Sequence, residues 1–352
     1  MTDWLTQPIA PIDLEARAAA QARQGVLTKP PGSLGRLEQL AADFAGWQGR
    51  AVPVLSDIDI VVFAGDHGVA AQGVSAFDQA VTGQMIANFA AGGAAICVLA
   101  RRHHARLAIV DLGAVAPPAD CPDVIDARIG PGTADFTTGA AMQADELEQA
   151  LRAGRERVWA SAHLFIGGEM GIGNTTSAAA VLAGLTGATP AQVVGRGTGV
   201  DSAGLARKQA VVAAGLARHG SSWQGLTGAA HALAVLRCVG GFEIAALTGA
   251  FVAAAQAGVP VLVDGFIASV AALCAVEIAP ACRHWQLFGH RSAETGHAGV
   301  LARLEARPLL DLDMRLGEGS GAALALGVIA DALALHADMA TFDEAGVTSS
   351  DG

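Results

Sequence analysis

Ile58-Asp59-Ile60-Val61-Val62-Phe63-Ala64-Gly65-Asp66-His67-Gly68 is the stretch that decides the fold. Its β-branched and aromatic run is short and ends on glycine, the pattern of a buried strand running into a turn. Similar short runs at 107–111, 124–127, 164–167, 261–263 and 285–288 are further candidate strands. Between them lie helix-like stretches at 81–91, 141–160, 177–185, 203–218 and 293–305. Strands alternating with helices argue for an α/β fold with a mostly parallel sheet flanked by helices. Outside this core, 14–24, 37–47 and 322–340 also read as helices. Lys29-Pro30-Pro31-Gly32-Ser33-Leu34-Gly35 separates the first two, with Ser33 placed to cap the second. The expected division is a large α/β catalytic domain at 55–310 and a small helical domain from both chain termini, 1–54 plus 311–352.

Composition narrows the function. The 352 residues are 52% hydrophobic and 16% charged, with 44 glycines and a net charge of −11. Lys29 and Lys208 are the only lysines. An acidic, lysine-poor chain is a poor partner for nucleic acid or an anionic membrane, because it repels phosphate at long range. Phosphate on a small molecule must then be held by backbone amides and a few chosen cations. Cys97, Cys121, Cys238, Cys274 and Cys282 are odd in number, scattered and without a CxxC pair. They read as reduced thiols of a cytoplasmic protein. Met1-Thr2-Asp3-Trp4 lacks the basic start of a signal peptide. The apolar stretch 244–263 is interrupted by Thr248, Gln256, Gly258 and Pro260, which favours a buried helix and strand over a membrane span.

Five glycine-rich loops fall where α/β sheets bind ligands, at the carboxyl ends of strands. They are 63–69 with Asp66 and His67, 167–176, 195–199, 289–294 and 315–325. Each precedes a helix, so together they suggest a phosphate cradle. None is a Walker A loop, and Gly171-Ile172-Gly173-Asn174-Thr175-Thr176 lacks the third glycine of a dinucleotide fingerprint. No metal and no cofactor is expected, since no cluster of ligands has metal spacing. The last loop, Arg315-Leu316-Gly317-Glu318-Gly319-Ser320-Gly321, sets one carboxylate among glycines at a helix start. Such a carboxylate would compete with a bound anion unless it has a task of its own, and proton removal is the obvious one.

Lys29 to Arg36, Asp66-His67-Gly68, Gly168 to Thr176, Val239 to Glu243, Val263-Asp264-Gly265-Phe266 and Arg315 to Ala325 together resemble the nicotinate-nucleotide–dimethylbenzimidazole phosphoribosyltransferases. The resemblance implies a Rossmann-like sheet, a homodimer, and two small-molecule substrates, nicotinate mononucleotide and a benzimidazole base. The implied reaction yields α-ribazole 5'-phosphate for the lower ligand of cobalamin.

It also implies that Glu318 is the general base, with Glu169 a second carboxylate nearby that is either catalytic or structural. Two close carboxylates raise one another's pKa, whereas a helix N-terminus favours the ionised form. The phosphoribosyl group is assigned to Gly171, Gly173, Asn174, Thr175, Gly195, Gly197, Lys208, Ser292, Gly317, Gly319, Ser320 and Gly321. The benzimidazole is assigned to Phe77, Gln84, Met85 and Leu316, with Asp66 and His67 supporting the floor. Some relatives carry serine and glutamine where this chain has Phe77 and Met85, so the preferred base stays open. Two other readings are transfer to a different azole or purine, and a sensor that binds nucleotide without catalysis.

Overall fold

The computed structural model describes residues 3–118 and 121–348. Two helices, α1 (Leu14–Val26) and α2 (Arg36–Gln48), lead into β1 (Ile58–Gly65). Then come α3 (Ala80–Ala90), α4 (Ala95–Arg102), β2 (Arg106–Gly113), β3 (Val124–Asp126), α5 (Ala144–Arg155) and β4 (Leu164–Met170). A helical stretch follows: α6 (Asn174–Thr186), α7 (Pro190–Val193), α8 (Ser202–Trp223), α9 (Gly228–Val239) and α10 (Phe242–Ala257). The chain continues through β5 (Val261–Val263), α11 (Phe266–Ile278), β6 (Gln286–Phe288), β7 (His290–Arg291), α12 (His297–Arg303), β8 (Leu310–Asp311), α13 (Ser320–Asp338) and α14 (Phe342–Ala345).

Six strands form one parallel sheet in the order β3-β2-β1-β4-β5-β6. All eight residues of β1 are buried, and their alternation divides two cores. Val61 and Phe63 point into an apolar cluster with α5, α6 and α9–α11, while Ile58, Ile60, Val62 and Ala64 point into one with α2, α4 and α13. A strand with both faces covered has no polar side to show, hence the continuous apolar run. The segment 244–263 is divided between α10 and β5, both in the interior. Among the described residues two stretches have the length and hydropathy of a membrane span, Ala80–Arg102 and Ser320–Asp338, and both pack on the sheet.

The differences from the sequence reading are local. The second helix starts at Arg36 behind Gly35, and Ser33 does not cap it; Glu38 Oε1 instead accepts from the Leu34 N–H at 3.0 Å. The stretch 141–160 shortens to α5 because Gln143 and Glu146 cap it at Ala144. Within 293–305 only His297–Arg303 is helical, since the His297 ring accepts the Ser292 N–H at 2.7 Å and the chain turns first. Helices α4, α7, α9, α11 and α14 lie outside the sequence reading. The first is only 8 residues long, and α11 is buried on nearly every side, so its sequence shows no helical period. Helix α13 packs on α2 and also on α4 and β4, so the C-terminal segment touches both ends of the proposed division.

Candidate active site

The carboxyl ends of β4 and β5, with β7 and the segment after it, line one cleft of about 270 Å³. Its wall includes Glu169, Gly171, Asn174 and Thr175 from the β4–α6 turn, Gly197 from the loop before α8, Ser292 after β7, and Phe77, Leu316 and Gly317. A larger cleft of about 830 Å³ lies elsewhere, between α2 and β6. There Arg36 and Arg283 donate to backbone carbonyls, which accounts for them structurally.

Register brings the carboxylates together. Glu169 sits beside Phe63 across the β1–β4 pair, and the 317–319 loop crosses over the end of β4. Glu318 is 5% exposed and has φ +63°, between Gly317 at +91° and Gly319 at +84°. Three left-handed residues in succession explain both glycines, and holding a glutamate in this conformation costs about 1–2 kcal/mol. Such strain persists only where the surroundings over-determine it, and it is typical of functional sites. Gly168 lies directly under this turn: a Cβ there would strike the Glu318 carbonyl.

The charges are crowded. Burial pushes the Glu318 carboxyl above the ordinary glutamate range; the Ile96 N–H at the start of α4 opposes this and the Asp264 charge adds to it. Its Oε2 is buried without a hydrogen-bond partner. Glu169 is raised further, first by burial and then by Glu243, Asp264 and Glu318, while the amide of Asn174 donates to it. Beneath them His67 links Glu243 (2.8 Å) to Ser177 (2.9 Å), and Asp66 accepts from Thr82 (2.6 Å) and the Val115 N–H (2.8 Å). Both residues are fully buried and hold β1, α3, α6 and α10 in place from below the cleft.

On the opposite side, Lys208 donates to Thr175 Oγ1 at 2.9 Å, and its pKa is lowered to about 8 by burial. Glu294 stands near Lys208 and Arg315, with its own carboxyl raised by burial. Arg315 donates to the Gly197 carbonyl at 2.9 Å. An anion between Thr175, Gly197 and Lys208 would meet one buried cation and the start of α6.

Several expected phosphate donors are otherwise engaged. The N-terminus of α13 is capped by Asp264, whose carboxylate accepts the N–H of Gly319 (3.2 Å) and of Ala322 (2.8 Å). Ser320 Oγ donates to the Gly317 carbonyl at 2.6 Å, and Gly321 packs against the His290 ring. Gly173 lies against His67, while Gly195 lines a neighbouring cleft with Arg196 and Glu294. Phe77 and Leu316 stand at the mouth, 55% and 58% exposed. Gln84 is exposed on α3 and Met85 packs toward the apolar cluster of Ile96, so neither lines the cleft. Met170, His290, Glu294 and Arg315 do line it and were not singled out from the sequence. Their signal was position alone, since each follows or adjoins a strand end. Among the described residues no group of His, Cys, Asp or Glu has the arrangement to hold a metal ion.

A family model described as phosphoribosyltransferase matches residues 9–347. The nicotinate-nucleotide–dimethylbenzimidazole phosphoribosyltransferase of Azotobacter vinelandii is 55% identical over 350 residues, covering 98% of both chains. The chain belongs to this phosphoribosyltransferase family. A second member, from Chromobacterium violaceum, is also 55% identical, over 96% of this chain and 97% of its own. The crystal structure of CobT from Thermus thermophilus superimposes with a TM-score of 0.89 at 45% identity, covering 95% of this chain and 99% of that one. The Rossmann-like parallel sheet of this phosphoribosyltransferase is thus the family's fold.

Proposed function

We propose that the chain moves the 5-phosphoribosyl group from nicotinate mononucleotide to 5,6-dimethylbenzimidazole, with Glu318 as general base. The ribosyl carbon's bond to the pyridinium nitrogen breaks, and its electron pair stays on nicotinate, which leaves without needing a proton. The azole's lone-pair nitrogen forms the new bond from the opposite face, turning a β-glycoside into an α-glycoside. Charge on the azole acidifies its other N–H, and Glu318 takes that proton. Alignment of the two flat bases across the sugar supplies much of the acceleration.

One observation carries this reading: Glu318 is a buried carboxylate in a strained turn, with one oxygen lacking a partner. Gly317 lines the cleft and Glu318 is the next residue, so we pair its free oxygen with an azole N–H. We assign the phosphoribosyl end to Thr175, Gly197, Ser292 and Gly317 of the cleft wall and to Lys208 behind Thr175, and the acceptor to Phe77 and Leu316. The same reading takes the protein as a cytoplasmic homodimer without cofactor or metal, divided at about residues 55 and 310.

Incubation with both substrates should release nicotinate and form the α-glycoside. Glu318→Gln should lower kcat by about 10²–10⁴ and leave nucleotide affinity within about twofold. Wild-type kcat in that variant would overturn the base assignment. Nucleotide binding with no transfer to any azole would point to a sensor.

A further inference from the structure

Asp264 has no part in the chemistry above, yet its carboxylate is hydrogen-bonded to the backbone just beyond Glu318. It follows β5 directly and is 2% exposed. Its two oxygens divide their work: Oδ2 accepts the Gly319 N–H at 3.2 Å and Oδ1 the Ala322 N–H at 2.8 Å. These donors lie one and four residues beyond Glu318, at the N-cap and the third residue of α13. One rigid carboxylate thereby links the end of a central strand to the backbone that sets the direction of the Glu318 side chain. His290 supports it from the far side, with Nε2 3.6 Å from Oδ1.

We propose that Asp264 is a positioning residue for the general base, holding Gly317-Glu318-Gly319 in its left-handed turn through the Gly319 and Ala322 amides. The inference rests on Glu318 being that base. An N-cap of an ordinary helix would stabilise α13 and do no more. Here the capped backbone is the strained segment itself, and a 1 Å error in a reacting group costs on the order of 10² in rate. The clamp also brings a negative charge to the base. Asp264 adds to the upward displacement of Glu318 and of Glu169. The other ionisable groups around Glu318 are Glu169 on β4 and Cys97 on α4, with Glu243 on α10 and His290 on β7 one step further out.

Asp264→Asn keeps the shape, loses one acceptor and removes the charge. It should lower kcat by about 10–100-fold with KM for nicotinate mononucleotide within about twofold. The acid limb of its kcat profile should move to lower pH, because the neighbouring negative charge is gone. An unmoved limb overturns the electrostatic part of the proposal, and the positioning part is read from kcat against KM and from coupling to the base. Coupling to the base is read from Asp264→Asn in a Glu318→Gln background. If Asp264 acts through Glu318, the second substitution changes the residual rate by less than about twofold. A further tenfold loss there overturns the positioning role, whereas an active Glu318→Gln single variant overturns the base assignment instead. Asp264→Ser, which retains one smaller acceptor, carries the same measurements if the asparagine variant does not fold. Failure of both to fold also overturns the proposal, since a clamp confined to one loop leaves the core intact.

Discussion

Gly168→Ala tests whether the position of Glu318 controls the rate. The perturbation is one methyl group, placed on β4 beneath the turn. In the native backbone that Cβ would lie 2.8 Å from the Gly319 nitrogen and nearer still to the Glu318 carbonyl. Non-bonded atoms sit comfortably at about 3.5–4.0 Å, so the 317–319 turn must retreat by roughly 1 Å. Strand β4 cannot yield in its place, being paired with β1 along its length and with β5. Overpacking of this kind costs about 1–3 kcal/mol of stability. A 1 Å displacement of the base should cost about 10² in kcat, or about 2.7 kcal/mol of barrier. Nicotinate release at saturating substrates measures kcat, and a denaturant melt measures the stability. Gly299→Ala on α12 is the control, because nothing lies within 4 Å of its new methyl group. It should leave kcat unchanged and stabilise the fold by up to about 1 kcal/mol. Wild-type kcat in a folded Gly168→Ala enzyme would refute the argument that this turn sets the rate.

Two further predictions concern pH. Lys208, lowered to about 8, is a cation below that pH and neutral above it. If it holds the phosphate, kcat/KM for nicotinate mononucleotide should fall above pH 8, and Lys208→Arg should remove that limb because arginine stays charged. A wild-type profile that stays flat to about pH 9.5, well past the lysine's titration, would sink the assignment. His297, held at about 3 by burial and by His290 and Arg291, stays neutral in the fold while the unfolded chain takes up its proton near 6.5. The stability this neutrality lends is complete above 6.5 and is lost as pH falls from there toward 3, at about 1.4 kcal/mol per unit. Between pH 7 and pH 5 the wild type should therefore lose about 2 kcal/mol more than His297→Asn in urea unfolding. Equal losses would show that the imidazole is protonated in the fold.

The parallel sheet was legible from the alternation of short, mostly apolar runs such as 58–65 with helix-like stretches, because a strand covered on both faces is mostly apolar. The Glu318 loop was legible as a carboxylate among glycines at a helix start; the structure adds that Gly317, Glu318 and Gly319 all take positive φ. Local rules sufficed for both. They failed where a buried helix shows no polar face, as in α11, and where a cap comes from a residue distant in the chain, as Asp264 does for α13. From the sequence, the amides at the head of α13 looked free for a phosphate. Whether an amide is free depends on what else reaches it, and Asp264 reaches it from 58 residues away in the chain. By itself the sequence picked out the glycine-rich loops and the polar residues in them, since residue type and local backbone freedom are properties of short segments. Only the tertiary structure decided which partner each one has, because charge, burial and hydrogen bonding at Glu318 are set by β4, β5 and α4 together.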